Sequence, residues 1–152
     1  MQTALRALRF AFFLVSMAAF VPALSGCGKK AMWRTFPAQG ELVSISPMQA
    51  YVQGKRLYVR VTVVNRSNEP VTIIRDAVRV VLPDARVIGR STGSSSTHNP
   101  YYVPSGGAQQ VYVDFMAEGF NWNEVGLANV DFSQAILVRG AMINVEPVRV
   151  ER

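Results

Sequence analysis

Leu57, Val59, Val61 and Val63 alternate with Tyr58, Arg60 and Thr62, and this period of two is the strongest constraint on how the chain folds. Successive side chains of a strand point to opposite faces, so the run reads as a strand with one buried face and one solvated face. The same beat returns at Val111, Val113 and Phe115 against Tyr112, Asp114 and Met116. It recurs more loosely at Val78, Val80 and Leu82 against Arg79 and Val81. Further strands are expected near 41–46, 71–76, 86–91 and 134–149, the last interrupted around Gly140. Turn chemistry separates them, at Gln53-Gly54-Lys55, Asn65 to Pro70, Pro83-Asp84-Ala85 and Pro104-Ser105-Gly106-Gly107. No long stretch shows a helical period; Asn123 to Gln134 comes nearest, but Gly126 and the β-branched residues weaken it. About seven short strands with frequent turns and no alternating helices predict an all-β, antiparallel sandwich.

The N-terminus has a different character. Arg6 and Arg9 precede an apolar run from Phe10 to Leu24 that only Ser16 and Pro22 break, and Leu24-Ser25-Gly26-Cys27 follows. Charge, apolar run and small residues in that order form a secretory signal. The run is also shorter than the roughly 20 residues of a comfortable membrane span. Leu24, Ser25, Gly26 and Cys27 resemble the lipobox of bacterial lipoproteins. In that family a diacylglyceryl group is attached to the cysteine sulfur and the signal is cut just before it. The resemblance implies a signal peptide over 1–26, a lipidated Cys27 with a tether over 27–40, and a folded domain over 41–152. A free thiol, an intermolecular disulfide and an uncleaved signal anchor are the other readings of this single cysteine. Burial of lipid methylenes at roughly 0.8 kcal/mol each would hold the chain without a membrane helix. Gly28 stands where the enterobacterial pattern retains inner-membrane lipoproteins with aspartate, so the resemblance implies an outer-membrane address with the domain facing the periplasm.

About 125 residues remain from Cys27 onward, enough for one domain. Of 16 Lys and Arg, Arg6 and Arg9 leave with the signal, so fourteen face 10 Asp and Glu. Lys29, Lys30 and Arg34 sit beside the anchor, where anionic headgroups attract cations. The other basic residues are scattered singly, without the clustering and interleaved aromatics that nucleic acid requires. Residues 28 to about 40 show neither period and read as the tether, with Trp33 and Phe36 free to sit at the bilayer or fold back.

Val61-Thr62-Val63-Val64-Asn65-Arg66-Ser67-Asn68-Glu69-Pro70-Val71, with Val103-Pro104-Ser105-Gly106-Gly107 further on, resembles the small immunoglobulin-like domains of bacterial lipoproteins, including the FxLYD type. The likeness covers about 45 to 115 and implies an immunoglobulin-like β-sandwich. It carries turn chemistry and no activity. Ala85 departs from the glycine that a left-handed turn position favours, at a cost of about 1 kcal/mol if its φ is positive.

Groups suited to catalysis are sparse. His98 is the only histidine and lies in the Ser/Thr/Gly-rich stretch Ser91 to Asn99, beside Ser94, Ser95 and Ser96, without a nucleophile-elbow pattern. His98 with Met32, Met48, Met116 and Met142 has no metal-ligand spacing. Asp76, Asp84, Asp114, Glu118, Glu124 and Asp131 are too dispersed for a calcium loop. No glycine-rich phosphate loop precedes a helix. No cofactor is expected.

Surface recognition remains, with two candidate segments: Tyr101-Tyr102, which point to opposite sides if extended, and Phe120-Asn121-Trp122-Asn123. Tyrosine and tryptophan suit interface hot spots. The competing reading for Phe120 and Trp122 is closure of one end of the core. The expectation is a non-enzymatic, lipid-anchored envelope protein whose sandwich binds another envelope component, with sheet-edge pairing as one mode, as accessory subunit of a larger complex. The alternatives are a glycan or small-ligand binder, a purely structural envelope protein, and a metal carrier or hydrolase built around His98.

Overall fold

A computed structural model describes residues 30–91 and 100–152. Leu24, Ser25, Gly26, Cys27 and His98 therefore lie outside the described residues. Within them the chain is antiparallel β throughout, apart from two single 3-10 turns at Arg75–Ala77 and Trp122–Glu124.

The strands are β1 (Ala31–Thr35), β2 (Ala38–Gln39), β3 (Val43–Gln53), β4 (Arg56–Asn65), β5 (Val71–Ile73), β6 (Arg79–Val81) and β7 (Val87–Gly89). Then follow β8 (Tyr101–Val103), β9 (Ala108–Phe115), β10 (Leu127–Asp131), β11 (Ile136–Val138), β12 (Ala141–Met142) and β13 (Val148–Glu151). One continuous path of pairing runs β7-β6-β10-β13-β1-β3-β4-β9, with β2 added to β3, and a smaller sheet runs β12-β11-β5-β8. β1 is the corner of the long path. Its residues Ala31 to Trp33 pair with β3, and Arg34 and Thr35 pair with β13. The two ends of the path meet again where Arg90 bridges Phe115. The result is a sandwich whose two faces, β3-β4-β9 and β7-β6-β10-β13, are joined along both sides.

The alternation of β4 places Leu57, Val59, Val61 and Val63 fully inside, with Val111, Val113 and Phe115 of β9 beside them. Val80, Ala128, Val130, Val148 and Val150 supply the opposing face. Burial of side chains of this size is worth about 2 kcal/mol each. β3 keeps its apolar side inward by a device. Val43 and Ile45 are buried at odd positions, Ala50 and Val52 at even ones. The phase changes at a bulge between Pro47 and Gln49, where the pairing with β4 skips Met48. One extra residue in a strand of period two restores the correct face.

Several sequence expectations are corrected. The segment assigned to a tether over 28–40 contains β1 and β2, and Trp33 is 5% exposed, packed into the core. The strand expected at 41–46 continues through the bulge to Gln53. The 71–76 strand ends at Ile73, and the 3-10 turn follows. The 86–91 strand is Val87–Gly89. The helical candidate 123–134 holds a 3-10 turn and β10. The 134–149 strand divides into a β11–β12 hairpin and β13. That hairpin turns on Arg139 and Gly140, both at positive φ (52° and 78°), the two-residue pattern whose twist matches its strands.

Asn65, at the end of β4, ties two turns together. Its buried amide nitrogen faces the carbonyls of Glu69 (2.7 Å), Pro104 (3.0 Å) and Val103 (3.1 Å). Its Oδ1 accepts from the Ser67 N–H (2.9 Å) and hydroxyl (2.7 Å). The Asn–Ser–Glu–Pro passage is thus an internal clamp between the β4–β5 and β8–β9 connections.

Candidate functional site

The outer face of β1, β3, β4 and β9 gathers the aromatic and cationic side chains that the inner alternation excludes. Gln53 pairs with Arg56, leaving Gly54 and Lys55 as a two-residue turn with Gly54 at φ 61°. A glycine in that first central position favours a hairpin of II′ type. This turn sets the register. One row across the face reads Met32, Tyr51, Tyr58, Asp114, and a second reads Gln49, Arg60, Tyr112.

Tyr51 and Tyr58 stack with centroids 4.9 Å apart and planes 14° from parallel. The Lys30 ammonium sits 4.8 Å from the centre of the Tyr51 ring. The Arg60 guanidinium lies 4.4 Å from the centre of Tyr112. Such cation–π contacts contribute about 0.5–1 kcal/mol at exposed sites and hold the cation in place. Arg56 reaches the buried Asp114 carboxylate at 2.7 Å. Arg60 makes no ion pair among the described residues, and its Nε is buried without a hydrogen-bond partner. Gln49, Tyr51, Tyr58, Arg60, Tyr112 and Asp114 line a cleft of about 220 Å³. Met32, Met48, Tyr112 and Met116 are large apolar side chains left exposed among the residues of these strands and their ends.

The sequence-predicted residues fare differently. Trp122 is completely buried, so it does not belong to a binding surface; it fills the core, and its N–H finds no partner there. Phe120 packs edge-on against it at 4.8 Å, with Arg86 over the Phe120 ring. The core-closing reading holds for this pair. Tyr101 and Tyr102 do point to opposite sides of β8: Tyr101 is half-buried beside Arg75, while Tyr102 is 70% exposed. β8 is an edge of the smaller sheet and is three residues long; the other edge, β12, has two. These edges offer little ladder to a visiting strand; in the larger sheet the terminal β9 presents eight residues, bridged on its far side at Phe115.

The residues missed from sequence are Tyr51, Tyr58, Arg60 and Tyr112. Their signal was the polar side of the alternation itself, which carries tyrosine and arginine where a purely solvated face would carry lysine, glutamate and threonine. Among the described residues no group of three or more His, Cys, Asp or Glu side chains is placed to hold a metal ion. No helix among them is long and apolar enough to cross a membrane.

No protein-family model matches the chain, and no curated protein matches it in sequence. Among solved structures, the chain is similar to the yjhA protein of Bacillus subtilis at 9% identity and a TM-score of 0.47, over 67% of this chain and 80% of that one. It is also similar to a functionally unknown protein from Listeria monocytogenes at 12% identity and a TM-score of 0.47, over 68% and 76% of the respective chains.

Proposed function

We propose that the chain is a lipid-anchored, non-enzymatic envelope protein whose outer β1–β3–β4–β9 face binds a protein partner. The observation that carries this reading is Arg60, stacked on Tyr112 inside the cleft and unsatisfied by any carboxylate among the described residues. A cation held rigidly beside two further tyrosines, with exposed methionines around it, is suited to an aspartate or glutamate flanked by apolar side chains. Arginine and tyrosine are the residue types that dominate interface energetics. The lipobox resemblance at Leu24 to Cys27 supplies the anchor, and tethering raises the effective concentration of the partner so that a modest contact suffices. With Gly28 after the cysteine, the outer membrane is the proposed address.

Covalent crosslinking in intact cells, followed by affinity purification and mass spectrometry, tests the reading with Arg60→Glu beside the native chain. A small set of stoichiometric envelope proteins that disappears in Arg60→Glu, with the circular dichroism unchanged, is expected. Recovery of the same proteins from both chains, or of glycan fragments alone, overturns it. The anchor has its own check: Cys27→Ser should accumulate as an unprocessed or soluble form, and full processing with membrane attachment would refute lipidation.

A further inference from the structure

The sheet begins far closer to Cys27 than its sequence suggests. Only Gly28, Lys29 and Lys30 separate that residue from Ala31, the first residue of β1. Four extended steps span at most about 14 Å. A tether running to residue 40 would instead reach about 45 Å by the same measure. Packed sheets are already about 10 Å apart, so a sandwich held this short cannot lift its Ala31 end clear of the surface that holds Cys27.

That end has a definite composition. Ala31 pairs with Val52, and Leu57 with Phe115, so the Gln53 to Arg56 hairpin tip and Met116 lie beside the start of β1. Lys30 and Lys55 are exposed there, and neither makes an ion pair among the described residues. Met32 is 56% and Met116 46% exposed. Of the acids at this end, Asp114 is taken by Arg56, Asp84 by Arg86 and Glu151 by Arg149, while Glu118 and Glu124 stand in the connection after β9. The opposite end of the sandwich carries Glu41, Glu69 and Glu146 with Arg66 and Arg139. Lys30, lying over the Tyr51 ring, and Lys55 thus face the Cys27 end with no ion-pair partner among the described residues.

We infer that the Ala31 end of the sandwich seats on an anionic bilayer surface, with Lys30 and Lys55 at the headgroup phosphates and Met32 and Met116 against the interface. This inference rests on the lipid-anchor reading of Cys27. Seated so, the Tyr51–Tyr58 row stands one residue above the end and the Arg60–Tyr112 row three, about 10 Å up the strands. The cleft then opens at the level of the headgroups, and its partner has to present its acidic segment close to the membrane.

The test uses the full, lipidated protein in vesicles of phosphatidylcholine with and without phosphatidylglycerol, carrying a nitroxide headgroup lipid as quencher. With the Cys27 sulfur occupied by lipid, a fluorophore goes on Gln53→Cys at the hairpin tip or on Arg66→Cys at the far end. Quenching several-fold stronger at the hairpin tip is expected, increased by phosphatidylglycerol. Lys30→Glu with Lys55→Glu should weaken it. A Gly/Ser insertion of about ten residues after Gly28 should bring the two labels close to equal. Equal quenching at both positions in vesicle-bound protein overturns the seating while leaving the anchor intact. Protein that fails to sediment with vesicles, or whose Cys27 takes the thiol label, overturns the anchor and the seating with it.

Discussion

Ala85 stores strain at a single residue. It closes the three-residue loop between Leu82 and Arg86, which joins β6 to β7: its N–H donates to Leu82 (2.9 Å), and the Leu82 N–H donates across to Arg86 (2.9 Å). Pro83, second in the turn, suits its fixed φ, and Asp84 accepts from the Arg86 N–H at 3.1 Å. What remains is a left-handed position, and the chain fills it with alanine at φ 66°. Crowding of Cβ against the neighbouring carbonyl costs roughly 1–2 kcal/mol there, partly offset because glycine would lose more freedom on folding. Ala85→Gly should therefore raise stability by up to about 1 kcal/mol, seen as a higher urea midpoint at unchanged slope. A lower midpoint would mean that the unfolded-state entropy outweighs the strain. The departure from glycine was visible in the sequence; the sign of φ was not, because Pro-Asp-Ala is compatible with several turn types.

At the scale of elements, the bulge in β3 decides which side of an eleven-residue strand faces the core. Deleting Met48 would realign the strand by one residue, turning either Val43 and Ile45 or Ala50 and Val52 outward. Loss of the cooperative unfolding transition is expected for the deletion, whereas Met48→Gln, at a side chain already half exposed, should stay within about 0.5 kcal/mol of the native chain. Similar stability of the two variants would show that the bulge is dispensable. The hairpins are linked too: Arg139 of the β11–β12 turn pairs with Glu69 of the β4–β5 turn. The hydrogen bond from Arg139, and then its charge, hold the Glu69 carboxyl below the ordinary glutamate range. A depressed carboxyl contributes stability that is fully present above its unfolded-state pKa and is lost as pH falls through the folded value. Glu69→Gln should lower the urea midpoint slightly at neutral pH, with the gap to native closing in acid and in molar salt. A gap that persists in acid would refute the assignment. The strands legible in advance were those with three or more apolar residues in phase, β4 and β9 foremost. β1 contributes one core side chain, Trp33, too few to make a pattern; the phase change at Pro47 hid the second half of β3, and Tyr51 with it. Tyr58, Arg60 and Tyr112 could be placed on outer faces, but their meeting depends on β4 lying beside β9, which local periodicity does not encode. Phe120 and Trp122 were open to both a surface and a core-closing reading, because aromatic type by itself does not decide burial.

Across the whole molecule the two sides of the sandwich are closed unequally. Along one side β1 pairs with both faces over its length. Along the other, closure rests on the Arg90–Phe115 bridge and the Ser91 N–H donating to the Asp114 carbonyl at 2.9 Å. By contrast, β4 and β9 are in register from Leu57–Phe115 to Val64–Ala108. Local opening begins where few backbone bonds hold, so the β7–β9 seam should yield first. Asp114 sits in this seam, its side chain 7% exposed and paired with Arg56, whose own side chain is 31% exposed. The pair is asymmetric. Removing the arginine strands a buried carboxylate, whereas an arginine that has lost its carboxylate can still meet water. Arg56→Met should therefore cost about 2 kcal/mol and Asp114→Asn clearly less, with the double variant recovering much of the difference. Hydrogen exchange would locate the damage: in Arg56→Met the Ser91 amide should lose protection before those of Val59 and Val61. If all three amides lose protection together, the seam is no weaker than the sheet and the sandwich opens as one unit. If Ser91 yields alone, the face bearing Arg60 and Tyr112 keeps its shape while the seam opens, and the proposed binding surface is the more rigid side of the fold.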